Sequence, residues 1–354
     1  MRKRFIYQVI LISGILMACT SNTTNAKSVT KVQGRFAESS TQAETKEEKK
    51  DLESSKEAES SAVQSSEETT KATEATTTAA STTQEETTTA KETEVKKEAV
   101  SEVKEAGEIG LNPDWKYASF SKINSGKSML YTPSGNSNGI TIAVNAGHGT
   151  KGGSSQKTQC HPDGTPKVTG GTTNAGATTA IAVSEGMTFL DGTPESTVTY
   201  EMAKIFKDEL LSRGYNVLMI RNDTDVQLDN IARTVIANNN ANAHIALHWD
   251  STTSDKGAFY MGVPDVGSYR SMEPVASNWK KHEALGKALV NGLSANGTKI
   301  FSDGRMDMDL TQTSYSTIPS IDIELGDKKS DYDKDTLRKL SKGLADGIDG
   351  YFGR

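Results

Sequence analysis

The chain has 354 residues, a formal net charge of −6 and two cysteines, Cys19 and Cys160. An acidic balance excludes a basic nucleic-acid-binding surface, and two cysteines exclude a disulfide scaffold. The charge is uneven: residues 29–108 hold 19 acidic and 11 basic side chains, residues 1–28 carry +4, and about −2 is left for the rest, which is long enough for one substantial core.

Arg2, Lys3 and Arg4 precede a mostly apolar run at 5–17, too short to span a bilayer comfortably, so the start reads as a secretory signal. Leu16-Met17-Ala18-Cys19 resembles a bacterial lipoprotein processing site. The resemblance implies residues 1–19 as a signal segment and a lipid anchor on Cys19, or otherwise simple secretion. Either way the protein is expected to work outside the cytoplasm, in the cell envelope. Residues 20–108 are rich in Glu, Thr, Ser, Lys and Ala and poor in large apolar side chains. They cannot offset the entropy of ordering and read as a disordered tether, with 91–105 its most helix-prone part. Residues 109–139 scatter Trp115, Tyr117, Phe120, Met129, Leu130 and Tyr131 among polar residues and read as a strap or short edge strands on the domain that follows.

That domain, 140–354, begins with a buried strand at 140–144, broken by Gly147-His148-Gly149. Glycines on both sides free the histidine at the strand's C-terminal end, where sites in open α/β sheets are built. A long Gly/Thr-rich loop at 151–191 contains Cys160 and His161 and reads as a wall of the site, with a short strand at 178–183. Glu195 opens a helix whose stripe is Val198, Met202, Ile205, Phe206, Leu210 and Leu211, closed by Arg213-Gly214. A strand at 215–220 ends at Arg221, and a helix carries Leu228, Ile231, Val235 and Ile236. In the strand 243–248, His244 and His248 share a face about 13 Å apart, too far to hold one ion together, so His244 reads as structural. A strand at 257–261, a helix at 275–293, a polar stretch at 303–316 bordering the site, a strand at 319–325 carrying Glu324 and a helix at 332–351 complete the order. The alternation predicts a single α/β domain, with a mostly parallel twisted sheet and helices on both faces.

Four residues stand at element ends: His148, Glu195, His248 and Glu324. Two imidazoles and one carboxylate suit a catalytic zinc with one position open, and a further carboxylate beside it can move the proton of a bound water. Burial would raise the Glu324 pKa and a nearby zinc would lower it. Spacing alone leaves Glu195 and Glu201 as rival ligands, about 9 Å apart along one helix.

From residue 140 onward the ordered motifs resemble the zinc-dependent N-acetylmuramoyl-L-alanine amidases of bacterial cell-wall turnover. These motifs are Gly147-His148-Gly149, the glutamate-led helix ending in glycine, the strand ending at Arg221, Leu228 with Arg233 and Ala237-Asn238, His248, and Ile321-Asp322-Ile323-Glu324-Leu325-Gly326. The resemblance selects Glu195 over Glu201. It implies one zinc ion on His148, Glu195 and His248, with Glu324 catalytic and peptidoglycan as partner and substrate, the protein acting as a monomer. Asp250 is expected to orient a ligand histidine. Arg221 and Arg233 are expected chiefly to hold the fold and secondarily to meet the stem peptide. Asp309, Thr311 and Gln312 are expected to line the groove. The chain departs from the family pattern at Asn145-Ala146 before the Gly-His-Gly, at Trp249-Asp250 after the second histidine, and in the longer loop before Glu195. The alternative readings are another zinc-dependent cell-wall peptidase, or a non-catalytic peptidoglycan-binding lipoprotein.

Overall fold

A computed structural model describes residues 104–354. The signal segment, Cys19 and most of the tether expected from the sequence lie outside the described residues. The elements in chain order are β1 (Lys104–Gly110), β2 (Lys127–Thr132), β3 (Thr141–Ala146), β4 (Lys157–Gln159), β5 (Thr179–Ile181), α1 (Glu195–Ser212), β6 (Asn216–Met219), α2 (Asn230–Asn240), β7 (Ala243–Asp250), β8 (Ala258–Gly262), α3 (Gly267–Arg270), α4 (Val275–Ala295), β9 (Ile300–Asp307), α5 (Thr311–Tyr315), β10 (Ser320–Asp327) and α6 (Lys334–Phe352).

Eight strands form one sheet in the order β1-β2-β6-β3-β7-β10-β8-β9. Its centre, β6-β3-β7-β10, is parallel; β8 runs antiparallel to β10 and parallel to β9, and β1 and β2 form an antiparallel edge. Both faces are covered, so the central strands read as continuous apolar runs. Successive β3 side chains point to opposite sides. Ile142, Val144 and Ala146 join the core under α1, α4 and α6, while Ala143 joins Leu218, Ala232 and Ile236 under α2. Arg213 and Gly214, the latter at φ +84°, turn the chain from α1 into β6, and Asp229 caps α2 by accepting from the Ala232 amide.

Three details differ from the sequence reading. β1 starts at Lys104, inside the stretch read as the end of the tether and within its most helix-prone part; the strand is mostly polar because it is an edge that, among the described residues, pairs with β2 alone. Residues 300–307 form β9, not a polar loop, again at a sheet edge. The long loop before Glu195 contains a two-stranded antiparallel sheet, β4 with β5. No helix among the described residues is long and apolar enough to cross a membrane.

Candidate active site

The parallel strands deliver their C-terminal ends to one edge of the sheet, and a cleft of about 740 Å³ opens there. His148 follows β3, Glu195 is the first residue of α1, His248 lies near the end of β7, and Glu324 is beside it in register on β10. The His148 backbone sits in the left-handed region at φ +62°, between Gly147 and Gly149. Gly147 is required by close approach: a Cβ there would lie 2.3 Å from His248 Cε1. Gly186, on the long loop, fits as tightly; its Cβ would lie 2.7 Å from His148 Cδ2 and 2.8 Å from Glu195 Oε2.

Three donor atoms converge. His148 Nε2 is 2.9 Å from Glu195 Oε1 and 3.1 Å from His248 Nδ1, which is 3.2 Å from the same Glu195 oxygen. Ligands at 2.0–2.1 Å around a tetrahedral zinc stand about 3.3 Å apart, so this donor set has the spacing and chemistry of a zinc site. Among the described residues it is the one cluster of at least three such groups able to hold a metal ion. Each donor is aimed by its surroundings. The Ser184 carbonyl, 2.8 Å from His148 Nδ1, takes the ring proton there and leaves Nε2 as the free lone pair. The Glu195 carboxylate accepts from the Met187 amide at 2.8 Å and the Trp249 amide at 3.0 Å.

Charge in the cleft favours a cation. Burial alone would raise the Glu195 carboxyl, but hydrogen bonds from His148 and His248 hold it well below the usual carboxylate range. Burial alone would depress His248; the hydrogen bond and charge of Glu195, with Glu324 and Asp322, lift it to about 9. Burial lowers His148, with Glu195 opposing. Glu324 is half-buried, its Oε2 has no hydrogen-bond partner, and burial raises its carboxyl to about 8 against the pull of His248.

The remaining sequence-derived candidates fall elsewhere. Asp250 pairs with Lys256 and hydrogen-bonds to neither histidine. Arg221 is buried and donates to the carbonyls of Ala146, Gly147 and Ser196; Arg233, equally buried, donates to those of Ala146, His148 and Leu228. Together they clamp the turn that presents His148. Thr311 and Gln312 line the cleft, but Asp309 does not. It is buried beneath the long loop, where it accepts from His161, Lys167, Val168 and Thr169. That contact occupies His161, while Cys160 is a buried free thiol.

The sequence reading passed over Asp322. Its Oδ2 lies 3.9 Å from His248 Nε2, its Oδ1 is buried without a partner, and burial raises it to about 6 against the charge of His248. The period-2 alternation of Ile321-Asp322-Ile323-Glu324 was the available signal: it puts both acids on one face of β10.

Lone-pair donors spaced for a cation and a partly desolvated carboxylate, at the C-terminal edge of a mostly parallel sheet, are the groundwork of a hydrolytic centre. The family model for N-acetylmuramoyl-L-alanine amidase (Amidase_3) matches residues 142–349, and the chain belongs to that family. It is thereby a peptidoglycan amidase, whose reaction is hydrolysis of the amide between N-acetylmuramic acid and L-alanine. No curated protein matches the chain. Similar solved structures include the amidase Ami1 from Mycobacterium smegmatis, at 18% identity over 62% of this chain and 99% of that one, TM-score 0.49. Ami1 from Mycobacterium abscessus is 21% identical over 60% and 99%, TM-score 0.46. The CwlD amidase from Clostridioides difficile, solved in complex with the GerS lipoprotein, is 18% identical over 60% and 98%, TM-score 0.42.

Proposed function

We propose that the amidase is zinc-dependent, with one ion held by His148 Nε2, Glu195 Oε1 and His248 Nδ1. The observation that carries this is the convergence of those three atoms to 2.9–3.2 Å of one another, with the Ser184 carbonyl and two backbone amides fixing their orientation. When bound, zinc supplies Lewis acidity to water and to the scissile carbonyl. Glu324 takes the proton from the attacking water and returns it to the L-alanine nitrogen as the stem peptide leaves. Its unpartnered Oε2 and partly desolvated position support that task. Arg221 and Arg233 act at a distance, by holding the carbonyls around His148.

The N-terminal sequence supports an extracytoplasmic protein anchored through lipid on Cys19, with residues 20–103 letting the domain reach peptidoglycan. The test is the full chain, loaded with zinc, against intact peptidoglycan, its products read by mass spectrometry. Free stem peptides beginning with L-alanine, abolished by chelation and restored by zinc, are expected. Products cut within the stem would replace this reading with a peptidase. Undiminished activity after complete removal of metal would end the zinc assignment.

A further inference from the structure

We propose that Lys328 binds a carboxylate carried by the second residue of the stem peptide and so selects acidic stems. This rests on the amidase reading above.

Four cationic side chains line the cleft, and three are already engaged. Lys167 is paired with Asp309 at 2.9 Å, Lys256 with Asp250, and the Arg233 guanidinium is spent on backbone carbonyls and polar side chains beneath His148. The Lys328 ammonium has no ion pair or hydrogen bond among the described residues, although its side chain is only partly exposed and lines the cleft. A lone cation in a cleft otherwise rich in carboxylates is the complement to an anionic group on the ligand.

The backbone that carries it is fixed. Asp327 is buried; its carboxylate accepts from Thr252 Oγ1 and the Lys256 amide at 3.1 Å each and from the Lys329 amide at 2.9 Å. The Asp327 amide donates to Ser330 Oγ at 2.9 Å, and the Lys328 amide to the Thr252 carbonyl at 3.1 Å. The turn after β10 is thus stitched to the segment after β7, and only the lysine stem is free to adjust.

The reach agrees. Lys328 is the first residue of the turn after β10, four positions beyond Glu324, so the two backbones lie within about 13 Å of each other. Two residues of extended stem peptide, measured from the scissile nitrogen beside Glu324, cover about 7 Å. The flexible four-carbon lysine stem covers the remainder. A charge-assisted contact there discriminates a carboxylate from its neutral carboxamide by about tenfold.

The experiment uses the full zinc-loaded chain and two muropeptides that differ only in a free carboxylate or a carboxamide at the second stem residue. Wild type is expected to favour the free acid in kcat/KM by about tenfold at low ionic strength, with the preference shrinking as salt rises. Lys328→Gln should abolish the preference, with the larger loss of kcat/KM falling on the free acid. Lys328→Glu should reverse it, and Lys328→Arg should keep it. A preference that survives in Lys328→Gln, equal rates on both substrates in wild type, or an equal loss on both in the variant overturns the proposal. Cleavage between sugar and alanine in either substrate upholds the amidase reading whatever the ratio; cleavage of neither brings down both.

Discussion

Replacing Asp309 by alanine should release the long loop from the wall of the cleft. The carboxylate is buried, with its oxygens committed to His161 Nε2 at 3.0 Å, Lys167 Nζ at 2.9 Å, the Val168 amide at 2.7 Å, the Thr169 amide at 3.1 Å, and the Thr169 hydroxyl. Burial by itself would raise its pKa, but these donors hold it well below the usual carboxylate range. Its contribution is therefore fully present above the unfolded-state carboxyl pKa and is lost only as pH falls through the lower folded value. In Asp309→Ala, the Lys167 ammonium, 7% exposed, loses its counter-charge. Removing one partner of a buried pair destabilises by about 3–5 kcal/mol. Because the contact joins a loop to the body, the loss should appear locally as well as globally. Amide exchange should speed up by about 100- to 1000-fold at Cys160, Lys167 and Ala182, whose amides bond within the loop at 2.9 Å each. The loop lines the cleft through Lys167, Thr172 and Val183, so KM should rise more than kcat falls. Lys167→Met in the Asp309→Ala background should recover part of the loss, with a coupling above about 1.5 kcal/mol. A loss below about 1 kcal/mol, or strict additivity of the two substitutions, would refute the reasoning.

Glu324→Gln should lower kcat by about 10²–10⁴-fold while the bound zinc remains at one per chain; joint loss of zinc and activity would instead make Glu324 a ligand. Gly147→Ala puts a Cβ 2.3 Å from His248 Cε1, so zinc affinity measured against a chelator should fall by at least about tenfold, with the far-ultraviolet dichroism retained. Undiminished affinity would show that His248 has room to move. Acid should unfold the domain early. Burial pushes His244 to about 3 and His282 to about 4, both below the ordinary value, so each is neutral when folded and protonates first in the unfolded chain. Their stabilisation is present above pH 6.5 and is lost as pH falls toward the folded values, by about 2.7 kcal/mol per pH unit for the pair around pH 5. Urea titrations across pH 7 to 4.5 measure the slope, and a flat profile would exclude both histidines.

What could be read in advance follows from how far apart the cooperating residues lie. Apolar residues at period 2 or 3.6 report burial locally, and β3, β7, β10, α1 and α6 each carry that signal within their own length. The Gly147-His148-Gly149 break is local too, because its second glycine and the histidine both adopt positive φ. β9 hides the same information: Asp303, Arg305 and Asp307 alternate along it, and Ser302 and Gly304 take positive φ in the middle. At a sheet edge such charges and kinks discourage pairing with another chain, and they also erase the apolar period. Asp309 is the opposite case. Its strand-end neighbourhood looks like any polar loop, and its partners lie some 140 residues earlier in the chain. A contact of that kind leaves no period on either side; only folding makes the carboxylate a structural anchor and not a surface group. The same logic separates Asp250 from Asp322. Asp250 lies two residues after His248 in sequence, yet it turns to Lys256. Asp322 is 74 positions away, but the parallel register of β7 with β10 brings it to the far nitrogen of His248. Adjacency along the chain therefore misleads at this centre, whereas strand parity, taken jointly over the two strands, selects the carboxylate that faces the imidazole.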